Sequence, residues 1–392
     1  MRVYQIFVDR FSTGDTHRDA KLAGKTANDW LGGNLKGIVS KLDYIADLGF
    51  DAIWLTPIYK GSAYHGYHVT DFYRVDPHFG TNEDFARLVR EAHRRDIRVI
   101  LDFVPNHVSR YHPFFIEAQK NPNSEYRDWF IFKHWPNDYM CFEDVRDLPK
   151  LDLYNPDARN YILDSAEFWL NFGIDGFRLD HVVGPPFDLW RDLIRLTHSY
   201  SRDIILMPEI WVSGARKEIF ETFWFLHHSR RWWKQFYWAV ARRGEGDVWV
   251  WKPYIRNPLA ETVVMRMFLE YFDTPLDFVT NFYIRRSVKL GEVPDVRLPK
   301  KHFHFLDNHD MDRIMMVARN DKELILEALR YLVENAENVI FYYGTEIGAT
   351  HSDPVSSKEY GDLQVRGFMD WSLARDGNPF FRAVKEILAS SR

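Results

Sequence analysis

The sequence predicts an α/β fold in which eight parallel strands alternate with helices and close into a (β/α)8 barrel. Two observations carry that expectation. Eight short apolar segments recur along the 392 residues, at 3–7, 52–56, 98–104, 176–180, 204–209, 276–281, 302–306 and 339–343. Stretches of helical periodicity separate them, the pattern of parallel βαβ units. The length agrees, because one such barrel with insertions covers about 250 to over 400 residues. Helix boundaries are marked where the pattern needs them. Thr81 can cap a helix running through Phe85, Leu88, Val89 and Ala92, and Asn155-Pro156 places a cap before a first-turn proline ahead of Tyr161, Ile162, Ala166 and Trp169. Gly49 and Gly173, each just before a strand, read as helix stops.

Composition narrows the function. The chain is 46% hydrophobic and 27% charged, near the usual averages of about 45–50% and 25%, which argues against long disorder, a fibrous repeat or a membrane bundle. With 51 Lys+Arg against 56 Asp+Glu, a formal charge of −5, it lacks the basic excess that nucleic acid or an anionic membrane rewards. A neutral, polar partner fits better. Cys141 is the single cysteine, so no intrachain disulfide can form. The opening MRVYQIFVDRF has no apolar run of about 7–15 residues such as a secretory signal needs. No stretch reaches the ~18 apolar residues of a membrane span. A cytoplasmic location is expected.

Two connections are too long for plain barrel loops of about 2–6 residues. Residues 105–155 read as an excursion domain after the third strand, between a first barrel part, 1–104, and a second, 156–392. Within the second lies a helical insert, 212–275. From Trp211 onward this stretch holds seven of the fourteen tryptophans (Trp211, Trp224, Trp232, Trp233, Trp238, Trp249 and Trp251). Those rings either pack against the barrel or a second subunit, or face the cleft and stack on a flat, partly apolar ligand such as a sugar.

The active site of a parallel barrel sits at the C-terminal strand ends, and acids fall there. Asp102 lies near the end of the third strand, Arg178 and Asp180 end the fourth, Glu209 ends the fifth and Asp310 follows the seventh. Side chains alternate along a strand, so Phe177 and Leu179 should meet the helices while Arg178 and Asp180 project over the barrel mouth. Adjacent strands are about 4.8 Å apart, which would set the Asp180 and Glu209 carboxyl groups roughly 5 Å apart. A spacing of about 5–5.5 Å lets one acid attack a sugar carbon while the other protonates the leaving oxygen; inversion needs roughly 6.5–9.5 Å. Arg178 would hold Asp180 ionised, and Glu209, facing a like charge, would keep the proton.

With these residues in view the chain resembles the α-amylase family of glycoside hydrolases and transglycosidases. DFVPNHVS, GFRLDHV, EIW and FLDNHD are similar to that family's four short motifs, in order and at the expected strand ends. LPKLDL and YQIFVDRFSTGD resemble the neopullulanase, cyclomaltodextrinase and maltogenic-amylase branch. The resemblance implies a TIM barrel with Asp180 as nucleophile, Glu209 as general acid/base and Asp310 as the third acid that stabilises the transition state. It further implies that Arg178 pairs near Asp180 and that His107 and His309 contact the sugar. AYHGYHVTDFYRVDPHFG resembles the segment after the second strand, in which Tyr67 would stack on that sugar and His65 would line the same pocket. Asp102, His181 and Trp211 join the expected substrate-binding set.

Departures from the family pattern matter too. Calcium-dependent members carry Lys-His three and four residues after the nucleophile, where this chain has Val183 and Gly184. Asn106 alone matches a calcium ligand, so no cofactor is expected to be required. The sequence runs to about the eighth helix, so no C-terminal β-domain is expected within it. The N-terminal domain with which the maltogenic branch makes its dimer is also not seen, and the Trp-rich insert could substitute in a homo-oligomer.

The expected activity is retaining cleavage of α-1,4-glucosidic bonds in maltooligosaccharides, cyclodextrins or related α-glucans, with some transglycosylation. The same residues give a 4-α-glucanotransferase if a second glucan excludes water. Two readings of other classes stay open: a metal-dependent barrel hydrolase, for which His302 and His304 are the only suggestive ligand spacing, and a non-catalytic sugar-binding protein.

Overall fold

The computed structural model describes residues 1–142, 145–211, 265–266, 268–269, 271–357 and 361–390. Its strands are, in chain order, β1 (Arg2–Ile6), β2 (Ala52–Leu55), β3 (Tyr59–Gly61), β4 (Val69–Val75), β5 (Arg98–Phe103), β6 (Phe132–His134), β7 (Asp138–Tyr139), β8 (Gly176–Leu179), β9 (Ile205–Pro208), β10 (Phe303–Phe305) and β11 (Asn338–Tyr342). Seven of them form one parallel, curled sheet in the order β10-β11-β1-β2-β5-β8-β9. Each neighbouring pair shares three or four registered residues. The two edges, β9 and β10, meet through one residue: the Leu276 N–H donates to Pro208 O at 3.1 Å, and Leu276 pairs in parallel with Phe303. The fold is therefore a TIM barrel.

That seam corrects one expectation. The apolar run 276–281 reads as a sixth strand, yet only Leu276 takes that role. Asp277 caps the helix Phe278–Leu290, its carboxylate accepting the Thr280 N–H at 2.8 Å. A short apolar run fits a buried helix turn as well as a strand, and the cap decides between them. The other caps form as read: Thr81 and Asp84 make a reciprocal capping box, and Asn155 caps the helix Pro156–Leu170 ahead of its first-turn proline.

Strand alternation sorts the core into two layers. Val3, Ala52, Trp54, Ile100, Met207, Phe303, Phe305 and Ile340 fill the barrel interior. Their sequence neighbours Tyr4, Ile53, Leu55 and Leu101, with Phe177 and Leu179 on either side of Arg178, pack outward in the core shared with the helices. Arg178 thus faces inward, as its position between Phe177 and Leu179 requires.

Between β5 and β8 the chain makes the helix Pro113–Lys120 and the β6-β7 hairpin, then returns through bridges from His107 to Lys150, Phe130 to Leu151 and Cys141 to Pro149. The return is anchored to the barrel mouth, since the Leu151 N–H donates to Asn106 O at 3.1 Å. The Trp-rich insert expected at 212–275 lies for its greater part outside the described residues, as do all its tryptophans other than Trp211. Among the described residues no helix is long and apolar enough to cross a membrane.

Candidate active site

One guanidinium organises the site. Arg178 stands beside Asp102 in the β5-β8 register and beside Met207 in the β8-β9 register, so its charge lies between three strand ends. Its Nη1 is 2.9 Å from Asp102 Oδ1 and 2.7 Å from Asp180 Oδ1, and its Nη2 is 2.5 Å from Glu209 Oε1. The second Glu209 oxygen accepts the His181 N–H at 3.0 Å. His181 donates from a left-handed backbone, φ 45°, directly after the strand. All three carboxylates and Arg178 are buried. Two acids on adjacent strands, Asp180 and Glu209, are thereby tied to the two terminal nitrogens of one planar cation.

Three carboxylates share that single cation, and burial disfavours their charges. Asp180 is raised well above the ordinary aspartate range, first by desolvation and then by the negative charges of Glu209 and Asp102, with Arg178 pulling the other way. The attraction of Arg178 is present, as expected from its place beside Asp180, and desolvation acts against it. Asp102 is pushed up to about 7, again chiefly by desolvation. Its proton is held more tightly in the folded chain, so its contribution to stability is full below the unfolded value near 3.8 and is lost as pH rises toward about 7. An Asp102→Asn variant is expected to flatten the decline in unfolding free energy between pH 4 and 7; an unchanged slope in urea melts across that range would count against it.

Asp102 is the most buried of the three carboxylates. It is fully buried, and its oxygens take Arg178 Nη1, the Trp54 Nε1–H at 3.1 Å and the Tyr67 hydroxyl at 3.0 Å. Through these contacts it positions Arg178 and Tyr67. The chain of contacts continues: Tyr67 Oη is 2.5 Å from His309 Nε2, and Gln5 Nε2 is 2.7 Å from His309 Nδ1. A Gln5 amide donor makes Nδ1 the acceptor, which leaves the proton on Nε2 facing Tyr67. The Tyr67 and His309 rings lie nearly parallel, 5.6 Å apart, and His65 stacks on Tyr67 from 5.8 Å. Burial holds both His65 and His309 well below the usual imidazole range, as neutral rings.

Asp310 is brought in from β10. Its Oδ2 is 3.1 Å from His309 Nε2, and its Oδ1 accepts from Arg366 Nη2 at 2.8 Å. The same guanidinium nitrogen reaches Asp362 Oδ2 at 2.5 Å. Arg366, Asp362 and Gln5 escape a reading by motif, since none lies in one of the four short segments; the i, i+4 spacing of Asp362 and Arg366 is the one local signal. Phe142 escapes it too. Its ring lies 4.7 Å from His107 and meets His181 edge-on at 4.8 Å, so the 105–155 segment forms a wall of the cleft. Trp211 is half-buried and stacks on Phe278 at 5.0 Å, which places it at the rim beside Glu209.

Asn106 is fully buried with its Nδ2 3.3 Å from His107 Nδ1, and a Cβ at Gly184 would come within 2.1 Å of Asn106 Oδ1. Among the described residues no three His, Cys, Asp or Glu side chains come together as metal ligands. His302 and His304 sit at the start of β10, the far end of the barrel, where His302 Nδ1 is 2.9 Å from Asp277 Oδ2.

Comparison with known proteins agrees with this geometry. Residues 5–185 match the family model described as alpha amylase, catalytic domain. The chain is 36% identical to alpha-amylase 2 of Dictyoglomus thermophilum over 89% of its own length and 55% of that protein's. It is 30% identical to the intracellular maltogenic amylase of Bacillus subtilis, over 98% of this chain and 60% of the relative. The chain thus spans little more than half the length of these curated relatives. A solved cyclomaltodextrinase superposes with a TM-score of 0.76 at 25% identity, covering 99% of this chain and 62% of that one.

Proposed function

The chain belongs to the α-amylase family, and from that premise we propose that it cleaves α-1,4-glucosidic bonds of maltooligosaccharides or cyclodextrins with retention. The observation that carries the reading is the single Arg178 guanidinium joining Asp180 to Glu209 across adjacent strand ends. Asp180 attacks the anomeric carbon as Glu209 protonates the glycosidic oxygen, giving a covalent glycosyl-enzyme. Glu209 then takes the proton of the incoming acceptor. Arg178 serves this division of labour. Its Nη1 meets Asp180 and its Nη2 meets Glu209, so one cation holds both carboxyl groups in place. Asp310, positioned by Arg366, stabilises the positive charge that develops on the sugar.

Water as acceptor yields hydrolysis, and a second glucan yields 4-α-glucanotransfer; hydrolysis with appreciable transfer is the reading preferred here. The relatives named for maltogenic amylase and cyclomaltodextrinase activity support the substrate class. Residues 105–155 act as the excursion domain that walls the cleft, and a cytoplasmic enzyme needing no metal completes the proposal. Product analysis on maltotriose tests it. Glucose and maltose should dominate with minor longer oligomers, in the presence of a chelator as in its absence. Longer oligomers in excess would favour the transferase, and abolition of turnover by the chelator would overturn the metal-free mechanism.

A further inference from the structure

Beside the acids lies a second concavity, a groove of about 860 Å³ between the helix Phe278–Leu290, Trp211 and the segment that follows Asp310. Phe278, Phe282, Arg285, Arg286 and Lys289 recur at helical spacing on one face of that helix, and Arg319 faces them from across the groove. Among the described residues none of these four cations forms an ion pair. Arg285 donates to the carbonyl oxygens of Leu306 at 2.5 Å and Asp312 at 2.8 Å. The one carboxylate in the lining, Asp312, is already engaged: its Oδ1 accepts the Val355 N–H at 2.7 Å and lies 3.2 Å from His351 Nε2. Arg319 is held at φ 54°, in the left-handed region that side chains avoid, so its place on the rim is imposed by the surrounding fold. Four cations line the groove against the carboxylate of Asp312, with Asp307 also acting on Arg285, and leave the recess net positive on a chain whose formal charge is −5.

The recess pairs that charge with aromatic walls. Trp211 lies on Phe278 in a parallel stack, and Phe282 is 43% exposed. Guanidinium groups match phosphate oxygens in a bidentate fork, while aromatic faces suit a sugar ring. Trp211 is two residues beyond Glu209, and Met311 and Asp312 directly follow Asp310. The groove thus borders the segments that carry Glu209 and Asp310. We propose that this groove binds a saccharide carrying a phosphate monoester, with the phosphate among Arg285, Arg286, Lys289 and Arg319 and the sugar at the Trp211 end. This rests on the glucan reading above, which it narrows to substrates or acceptors bearing a phosphorylated unit.

Calorimetric titration of the full chain carrying Glu209→Gln, which removes turnover, tests the proposal with three probes: glucose 6-phosphate, inorganic phosphate and maltotriose. Glucose 6-phosphate should bind about tenfold more tightly than inorganic phosphate, and its affinity should fall as sodium chloride is added. Arg286→Gln, Lys289→Gln and Arg319→Gln together change only exposed side chains, and should weaken glucose 6-phosphate by about tenfold or more with an unchanged unfolding midpoint. Equal affinity for the two phosphates would reduce the groove to a bare anion site and overturn the saccharide claim. No binding of glucose 6-phosphate, or binding indifferent to the triple substitution, would overturn the proposal altogether. Glucose 6-phosphate binding without maltotriose binding would uphold the groove and overturn the glucan reading.

Discussion

Glu209→Gln is expected to lower kcat on maltotriose by roughly 10²–10⁴-fold, the span over which a positioned proton donor acts. The amide keeps the size of the side chain and an oxygen that can accept the His181 N–H, now 3.0 Å from Glu209 Oε2. It cannot deliver a proton to the glycosidic oxygen, nor take one from the acceptor. Maltotriose affinity should therefore change little, because the rings of Tyr67 and His65, which the proposed function assigns to the sugar, are untouched. Steady-state kinetics beside calorimetry separates the two quantities. Full residual turnover would refute the role of Glu209, and loss of binding together with turnover would show that the substitution disturbed the cleft rather than the chemistry.

The second large effect is on stability. Replacing Arg178 by Met should cost about 3–5 kcal/mol of unfolding free energy, the penalty for stripping a buried charge cluster of its counterion. Asp102, Asp180 and Glu209 would be left facing one another with no cation between them. Burial already raises Asp102 and Asp180 with Arg178 in place, so the variant should recover part of the loss at low pH, where protonation neutralises the acids. Arg178→Lys should also fall short, since one ammonium cannot span three carboxylates held by two separate guanidinium nitrogens. Urea unfolding at two pH values reads the effect. A loss under 1 kcal/mol at neutral pH would mean that water reaches the cluster.

Much of this is legible in the sequence. Phe177, Leu179, Arg178 and Asp180 sort by strand alternation alone, and the caps at Thr81 and Asn155 depend on neighbours within a few residues. Leu276 was harder to read, because a run of six apolar-leaning residues carries no period long enough to tell a strand from a helix start. Gln5, Phe142 and Arg366 are harder still. Each touches the site through contacts that span large stretches of chain, as when Gln5 meets His309 across 304 residues, and no local pattern encodes such a meeting. Asp102 shows a different gap. Its motif marks it as part of the site, but only its full burial reveals that it supports Arg178 from beneath.

The single-residue seam at Leu276 divides the wall between Glu209 and Asp310. Every other neighbouring pair of strands is stitched by at least three registered residues, so widening the ring at this point breaks the fewest main-chain links. Asp102, Asp180 and Glu209 lie on one side of the gap, locked to Arg178, while Asp310 travels with Arg366 on the other. A small opening there would still leave Asp310 roped to Asp102 around the far side of the ring, through His309 and Tyr67, so the seam can give without parting the acids.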